Sequence, residues 1–119
     1  MRLSGLTLET VYFEDYLSFL TEVLELELKE ITEISMKLDL KFGTWLEILK
    51  VPVAPHQVAS NVEFSLTEEA FEDLKNKVSF FYYRKGPTRF LFLEANDQKC
   101  EVVDPDGRIW RFKASSLIS

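Results

Sequence analysis

The chain has little of the chemistry on which most enzymes depend. It contains one cysteine and one histidine, Cys100 and His56. A single thiol cannot close an internal disulfide, so we expect a reducing compartment. No Cys/His pair of the kind that nucleophilic catalysis needs stands nearby. The four glycines are scattered rather than gathered into a phosphate-binding loop. We therefore interpret Cys100 as a buried or edge thiol on a strand and His56 as an exposed linker residue.

Basic residues and long apolar runs are also scarce. The chain has 14 Lys and Arg against 20 Asp and Glu, a net charge of -6. Binding to nucleic acid or to an anionic membrane surface needs clustered cations, so neither partner is expected. No apolar run approaches the roughly 18 residues of a membrane-spanning helix, and the first residues lack the apolar core of a signal peptide. These features indicate a cytoplasmic protein.

The sequence does contain a pattern of strand-like and helix-like segments that occurs twice. Residues 3–10 alternate as a half-buried strand, and a helical stripe follows, formed by Phe13, Tyr16, Leu17, Leu20 and Leu24. Residues 26–33 fit either a strand or a longer helix. The predicted strands 34–42 and 44–51 complete the first half. The segment 52–60 is predicted to be a linker, because its prolines are unsuited to a central strand.

The second half begins again with an alternating strand at 61–66. Thr67 is suited to cap a helix that carries Phe71 and Leu74. Residues 78–84 look like a strand, which would be one strand more than the first half offers, and the pattern leaves open whether they form one. Three more strands are predicted, at 89–95, 98–103 and 108–113.

The most specific motif lies between the last two of these strands. Asp104-Pro105-Asp106-Gly107 is a turn sequence, because Pro presets φ while Asp and Gly tolerate left-handed backbone. The β-rich residues on either side predict a hairpin. This turn and the strand after it resemble the last hairpin of the vicinal oxygen chelate superfamily, which includes glyoxalases, bleomycin-resistance proteins and extradiol dioxygenases.

The resemblance covers nearly the whole chain and implies an α+β fold. Two βαβββ modules would form a curved, cup-like mixed β-sheet with helices outside. We expect a single domain over residues 1–119, with module one at 1–51, the linker at 52–60 and module two at 61–119. A ferredoxin-like α+β domain is the competing interpretation of the same pattern of strands and helices.

In metalloenzymes of that superfamily, the first and last strands of each module carry the metal ligands. The resemblance places these positions at Gly5, Glu47, Asn61 and Arg111. Only Glu47 is a typical ligand, since Gly5 has no side-chain donor and Arg111 is a fixed cation. We therefore expect no metal, no cofactor and no metal-assisted catalysis. A carboxylate site for a hard cation, built from Glu9, Glu47 and Glu63, is an alternative.

The same resemblance suggests a small-molecule binder of the bleomycin-resistance kind, with an unknown organic ligand. Its ligand-binding residues would lie on the cup face: Thr7, Trp45, Glu47, Asn61, Glu63 and Arg111. Two alternatives stay open, a glyoxalase- or dioxygenase-like metalloenzyme with displaced ligands, and an interaction subunit whose cup is filled by its own side chains. We also expect the head groups of Glu47 and Arg111 to lie within salt-bridge reach, or to be bridged by one water, in place of the metal.

Aromatic residues are abundant, with ten Phe, four Tyr and two Trp. The run Phe80-Phe81-Tyr82-Tyr83 is dense enough that it lines either a pocket or an interface between subunits. Large apolar patches on an acidic surface tend to be covered. We therefore expect a homodimer.

Overall fold

The order of helices and strands is the same in the two halves of the chain. The structure is a computed structural model that describes residues 4–41, 43–54, 61–83 and 89–114. It divides into two compact units, Met1–Gln57 and Val58–Ser119. Each unit has the order βαβββ, as the sequence predicted. The predicted linker residue His56 lies outside the described residues.

The first unit is a four-stranded mixed sheet with one helical segment. Its elements are β1 (Gly5–Thr10), α1 (Phe13–Ser18), a π-helical segment (Phe19–Val23), β2 (Glu27–Ile31), β3 (Ser35–Lys41) and β4 (Thr44–Lys50). The strand order is β1-β4-β3-β2. Strands β1 and β4 are parallel, whereas the other neighbours are antiparallel.

The core of this unit lies on the face of the sheet formed by alternate residues such as Leu46 and Ile48, which are fully buried. The helical stripe of the sequence prediction is only partly correct. Phe19 and Val23 are buried, whereas Leu17 and Leu24 are half-buried. The reason is the π-type bond from the Leu24 N–H to the Phe19 carbonyl, which spans one residue more than an α-helical bond and shifts the buried stripe.

The ambiguous segment 26–33 is a strand rather than a continuation of the helix. Glu25, just after the helical segment, has a left-handed φ of 53°. A non-glycine residue in that region interrupts helical geometry. The chain then extends into β2, which pairs with β3 and bulges between Leu28 and Glu30.

The second unit repeats this arrangement. Its elements are β5 (Val62–Leu66), α2 (Glu68–Tyr83), β6 (Leu91–Ala95), β7 (Lys99–Val103) and β8 (Ile109–Ala114). The strand order is β5-β8-β7-β6, again with the first and last strands parallel. Its buried residues include Cys100, Val102, Trp110 and Phe112.

The segment that resembled an additional strand is the second half of α2. The helix begins after Thr67, whose Oγ1 accepts the Ala70 N–H at 3.2 Å as expected for a cap. Phe71, Leu74 and Val78 are its buried residues, and their spacing of three and four is that of one helical face. The aromatic run therefore continues a helix whose buried stripe outweighs the β preference of its last residues.

The Asp-Pro-Asp-Gly turn forms as predicted, and Asp104 organises it. Its Oδ1 accepts the backbone N–H groups of Asp106 and Arg108, each at 2.9 Å. Its Oδ2 accepts the indole N–H of Trp110 at 2.9 Å and lies 3.3 Å from Nη1 of Arg108. Gly107 takes a φ of 97°, which suits glycine. One buried carboxylate thus joins the turn to the core.

No helix among the described residues is both long enough and apolar enough to cross a membrane.

We expect Asp104→Ala to lower the free energy of unfolding by about 3 kcal/mol, because several buried donors would lose their acceptor together. Chemical denaturation measures this change. Asp73→Ala is the matched control, since Asp73 forms an exposed ion pair with Lys77 on α2 and such pairs contribute little. Equal effects of the two substitutions would contradict the role given to Asp104.

Candidate functional site

One face of the first sheet carries polar and aromatic side chains instead of core residues. Strand pairing aligns them in two rows across β1, β4 and β3. The first row is Gly5, Trp45 and Asp39, and the second is Thr7, Glu47 and Lys37. Residues of a strand that share a parity point to the same face. The sequence therefore predicted correctly that Thr7, Trp45 and Glu47 share a face.

Thr7 and Glu47 are bonded directly. The Thr7 hydroxyl donates to Oε1 of Glu47 at 3.2 Å, across the parallel pair β1 and β4. Thr7 is exposed and Glu47 is half-buried. The carboxylate is thus oriented by a neighbouring side chain while it stays accessible from solvent.

Trp45 lies flat over Gly5. A β-carbon added to Gly5 would stand 2.1 Å from Cδ2 of the indole, far inside van der Waals contact. The Nζ of Lys37 lies over the same ring, 4.8 Å from its centroid, which is within cation–π range. The space into which a side chain at position 5 would project is therefore filled by the indole.

The second sheet carries a charged network at the corresponding place. Arg111 on β8 stands between Glu63 on β5 and Glu101 on β7, its neighbours in the strand register. Its Nε donates to Oε2 of Glu101, and its Nη1 lies 3.9 Å from Oε1 of Glu63. Lys113 binds the same Glu63 oxygen at 2.8 Å. Two of the predicted residues, Glu63 and Arg111, therefore belong to one network.

This network shifts the pKa values of its members. The hydrogen bond from Lys113 holds the pKa of Glu63 below its ordinary value. The hydrogen bond to Glu101 raises the pKa of Arg111 further above an already high value. Arg111 is therefore a permanent cation whose position is set by two carboxylates.

Glu101 is a site residue that the sequence prediction missed. It is 6% exposed, which is unusual for a carboxylate, and Lys99 approaches it at 3.7 Å in addition to Arg111. The signal that could have revealed it was the turn. A hairpin that pairs Val103 with Ile109 also pairs Glu101 with Arg111, because antiparallel register is fixed by the turn.

The last of the predicted site residues is Asn61, which is exposed and directly precedes β5. Glu47 and Arg111 each have partners within their own unit, Thr7 for the former and Glu101 with Glu63 for the latter. A direct pair of Glu47 with Arg111 stays a prediction.

Two of the four positions that the sequence resemblance assigns to metal ligands do not fit a metal ion. Gly5 contributes no donor, and the indole above it leaves no room for one. Arg111 has no lone pair to offer and is bound to carboxylates. Within the part of the chain that the structure describes, no group of three or more His, Cys, Asp and Glu side chains is arranged to hold a metal.

Cys100 is buried on β7, as predicted for a structural thiol. Burial raises its pKa to about 11. A thiol is nucleophilic only as the thiolate, so Cys100 is poorly suited to catalysis near neutral pH.

The sequence matches no protein-family model. A search of curated proteins also finds no relative.

Solved structures, by contrast, match over almost the whole chain. The fosfomycin resistance protein FosX from Listeria monocytogenes, in its monoclinic form at pH 5.75, has a TM-score of 0.72 at 14% identity, covering 98% of this chain and 92% of that one. FosX from Mesorhizobium loti has a TM-score of 0.70 at 12% identity, covering 98% and 93%.

A glyoxalase/bleomycin resistance protein/dioxygenase from Nocardioides is also similar, with a TM-score of 0.65 at 15% identity, covering 100% of this chain and 86% of that one. At such identities the likeness shows the fold, and it leaves the activity open.

The contact between Gly5 and Trp45 predicts strong coupling between these positions. We expect Gly5→Ala to destabilise the chain by about 1–3 kcal/mol, because the added methyl group must displace the indole. In a Trp45→Ala background the same change should be neutral or slightly stabilising, since glycine is otherwise unfavourable within a strand. Denaturation of the four proteins of this double-mutant cycle measures the coupling. Additive effects would contradict the packing described.

Proposed function

We propose that this chain, which has the vicinal oxygen chelate fold, binds a small organic molecule and performs no metal-assisted chemistry. The observation that carries the proposal is the replacement at Gly5, where the indole of Trp45 fills the space of a first-strand metal ligand. An aromatic surface with a few fixed polar groups is what small-molecule sites are made of.

The polar face of the first sheet supplies such groups within a short distance. Lys37 offers a cation above the indole, and Glu47 offers a carboxylate oriented by Thr7. A ligand with a flat apolar part and a carboxyl or carbonyl group would contact Trp45 and Lys37 together. In the second unit, Asn61, Glu63 and Arg111 stay proposed ligand-binding residues, and Arg111 presents a cation there.

The proposal also includes a location in the cell. The buried, unreactive thiol of Cys100 is compatible with the reducing interior of a cell, so we propose a cytoplasmic location.

A metalloenzyme is the competing function. FosX from Listeria monocytogenes, which has a similar fold, was crystallised in complex with Mn(II) and 1S,2S-dihydroxypropylphosphonic acid. The alternative of an interaction subunit predicts no small ligand at all.

We expect protein purified without chelator to contain far less than one equivalent of zinc, iron, nickel or manganese per chain. The reason is the donor set, in which Gly5 and Arg111 stand at ligand positions. Elemental analysis of the purified chain makes the measurement. About one equivalent of any of these metals would favour the metalloenzyme instead.

We expect a screen of small organic acids and amides to yield a ligand that raises the melting temperature, because a molecule that binds only the folded state stabilises it. Fosfomycin, with and without Mn(II), belongs in the screen as the test of the metalloenzyme. A hit should also change the tryptophan fluorescence, since Trp45 is half-buried on the polar face.

Matched variants locate the binding. Trp45→Phe should abolish the fluorescence response, whereas Trp110 is fully buried and should not report a ligand. Glu47→Gln should weaken binding several-fold if the ligand contacts the carboxylate, and Glu30→Gln on the exposed strand β2 should leave it unchanged. Equal effects of these two variants would place the ligand elsewhere.

A further inference from the structure

Two opposite charges lie next to each other on the polar face of the first sheet and yet form no ion pair. Lys37 on β3 and Glu47 on β4 are partners in the antiparallel register. The side chains of directly opposed residues are close enough to interact, and opposite charges at such positions attract each other. Among the described residues, however, the head group of Lys37 contacts the indole of Trp45, and that of Glu47 contacts Thr7. The two charges are therefore held apart.

Each head group is held by a different neighbour. The Nζ of Lys37 lies 4.8 Å from the centroid of the Trp45 ring. This ring covers Gly5, where the missing side chain leaves the room that the indole occupies. Oε1 of Glu47 accepts the Thr7 hydroxyl at 3.2 Å. Strands β1 and β3, which carry Thr7 and Lys37, flank β4 on opposite sides, so this bond directs Glu47 away from the lysine.

The second unit shows that the same register allows a direct pair. Glu101 on β7 and Arg111 on β8 occupy the positions that correspond to Lys37 and Glu47. There the Nε of Arg111 donates to Oε2 of Glu101. Ile109 stands where the first unit has its tryptophan, so no aromatic ring competes for the charge. The separated charges of the first unit thus follow from its own residues and not from the fold.

The separation leaves hydrogen-bonding capacity for a ligand. An ammonium group has three donors and a carboxylate accepts about four hydrogen bonds. Lys37 and Glu47 are both half-buried, so solvent and small molecules reach them. An anion bound to Lys37 would lie beside the Glu47 carboxylate, and a cation bound to Glu47 would lie beside the Lys37 ammonium group. A ligand that carries both charges matches both groups without this repulsion.

We propose that the ligand of this face is a free α-amino acid with an apolar side chain. Its carboxylate binds Lys37, its ammonium group binds Glu47, and its side chain lies against Trp45. The proposal rests on the small-molecule binding proposed above and adds the chemical class of the ligand. An α-amino acid carries its two charges on one carbon atom, which suits two head groups from directly opposed strand positions. Charge-assisted hydrogen bonds also favour it over a neutral amide.

Matched ligands test the requirement for both charges. Phenylalanine is compared with phenethylamine, which lacks the carboxylate, and with hydrocinnamate, which lacks the amino group. Leucine is compared with isoamylamine and isocaproate in the same way. Titration followed by tryptophan fluorescence and by melting temperature gives the dissociation constants at neutral pH. For at least one amino acid, both analogues should bind about tenfold more weakly or worse, because each loses a charge-assisted hydrogen bond.

Variants of the two charged residues assign each half of the ligand. Lys37→Gln should abolish the preference for the amino acid over the amine, and Glu47→Gln should abolish its preference over the acid. Lys29→Gln and Glu30→Gln on the exposed strand β2 are the matched controls, and both preferences should survive in them. A preference between two ligands is the informative measurement, since a general loss of stability would weaken both ligands alike.

The outcomes separate this proposal from the proposed function. An analogue that binds as tightly as its amino acid would overturn the ligand class, as would amino-acid binding that is unaffected by Lys37→Gln and Glu47→Gln. The same holds if neither amino acid binds while an organic acid or amide does. In these cases, a fluorescence change that is lost in Trp45→Phe would still support a small-molecule site on this face. If no compound of either set binds, both proposals fail.

Discussion

The buried carboxylate of Asp104 is the interaction on which the second unit depends. It binds two backbone N–H groups of its own turn, and it also accepts the indole N–H of Trp110 in the core. The turn is thereby attached to the centre of the sheet, and the register of β7 with β8 follows from it. That register places Glu101 opposite Arg111. A turn residue thus determines which charges meet on the other face of the sheet.

The two units differ at the positions that the sequence resemblance assigns to metal ligands. In the first unit the position without a side chain, Gly5, is covered by the aromatic ring of its strand neighbour Trp45. In the second unit a cation, Arg111, is surrounded by carboxylates. In both, neighbouring strands supply the contacts at these positions. The proposal of metal-free binding rests on those contacts, and the shared fold alone would not support it.

The outer strands of the two sheets also differ in composition. The charged residues of β2 keep its backbone edge in water, whereas the apolar residues of β6 favour burial.

The sequence by itself determined the repeated βαβββ order, the Thr67 cap, the Asp104 turn and the shared face of Thr7, Trp45 and Glu47. These features depend on local backbone preferences and on the two-residue period of a strand, which a sequence displays directly. It did not determine the helical state of residues 78–83 or the burial of Val23 in place of Leu24. It also missed the burial of Glu101 and the position of the Trp45 ring over Gly5. Only the tertiary structure decided these, because they depend on which side chains strand pairing and helix packing bring together.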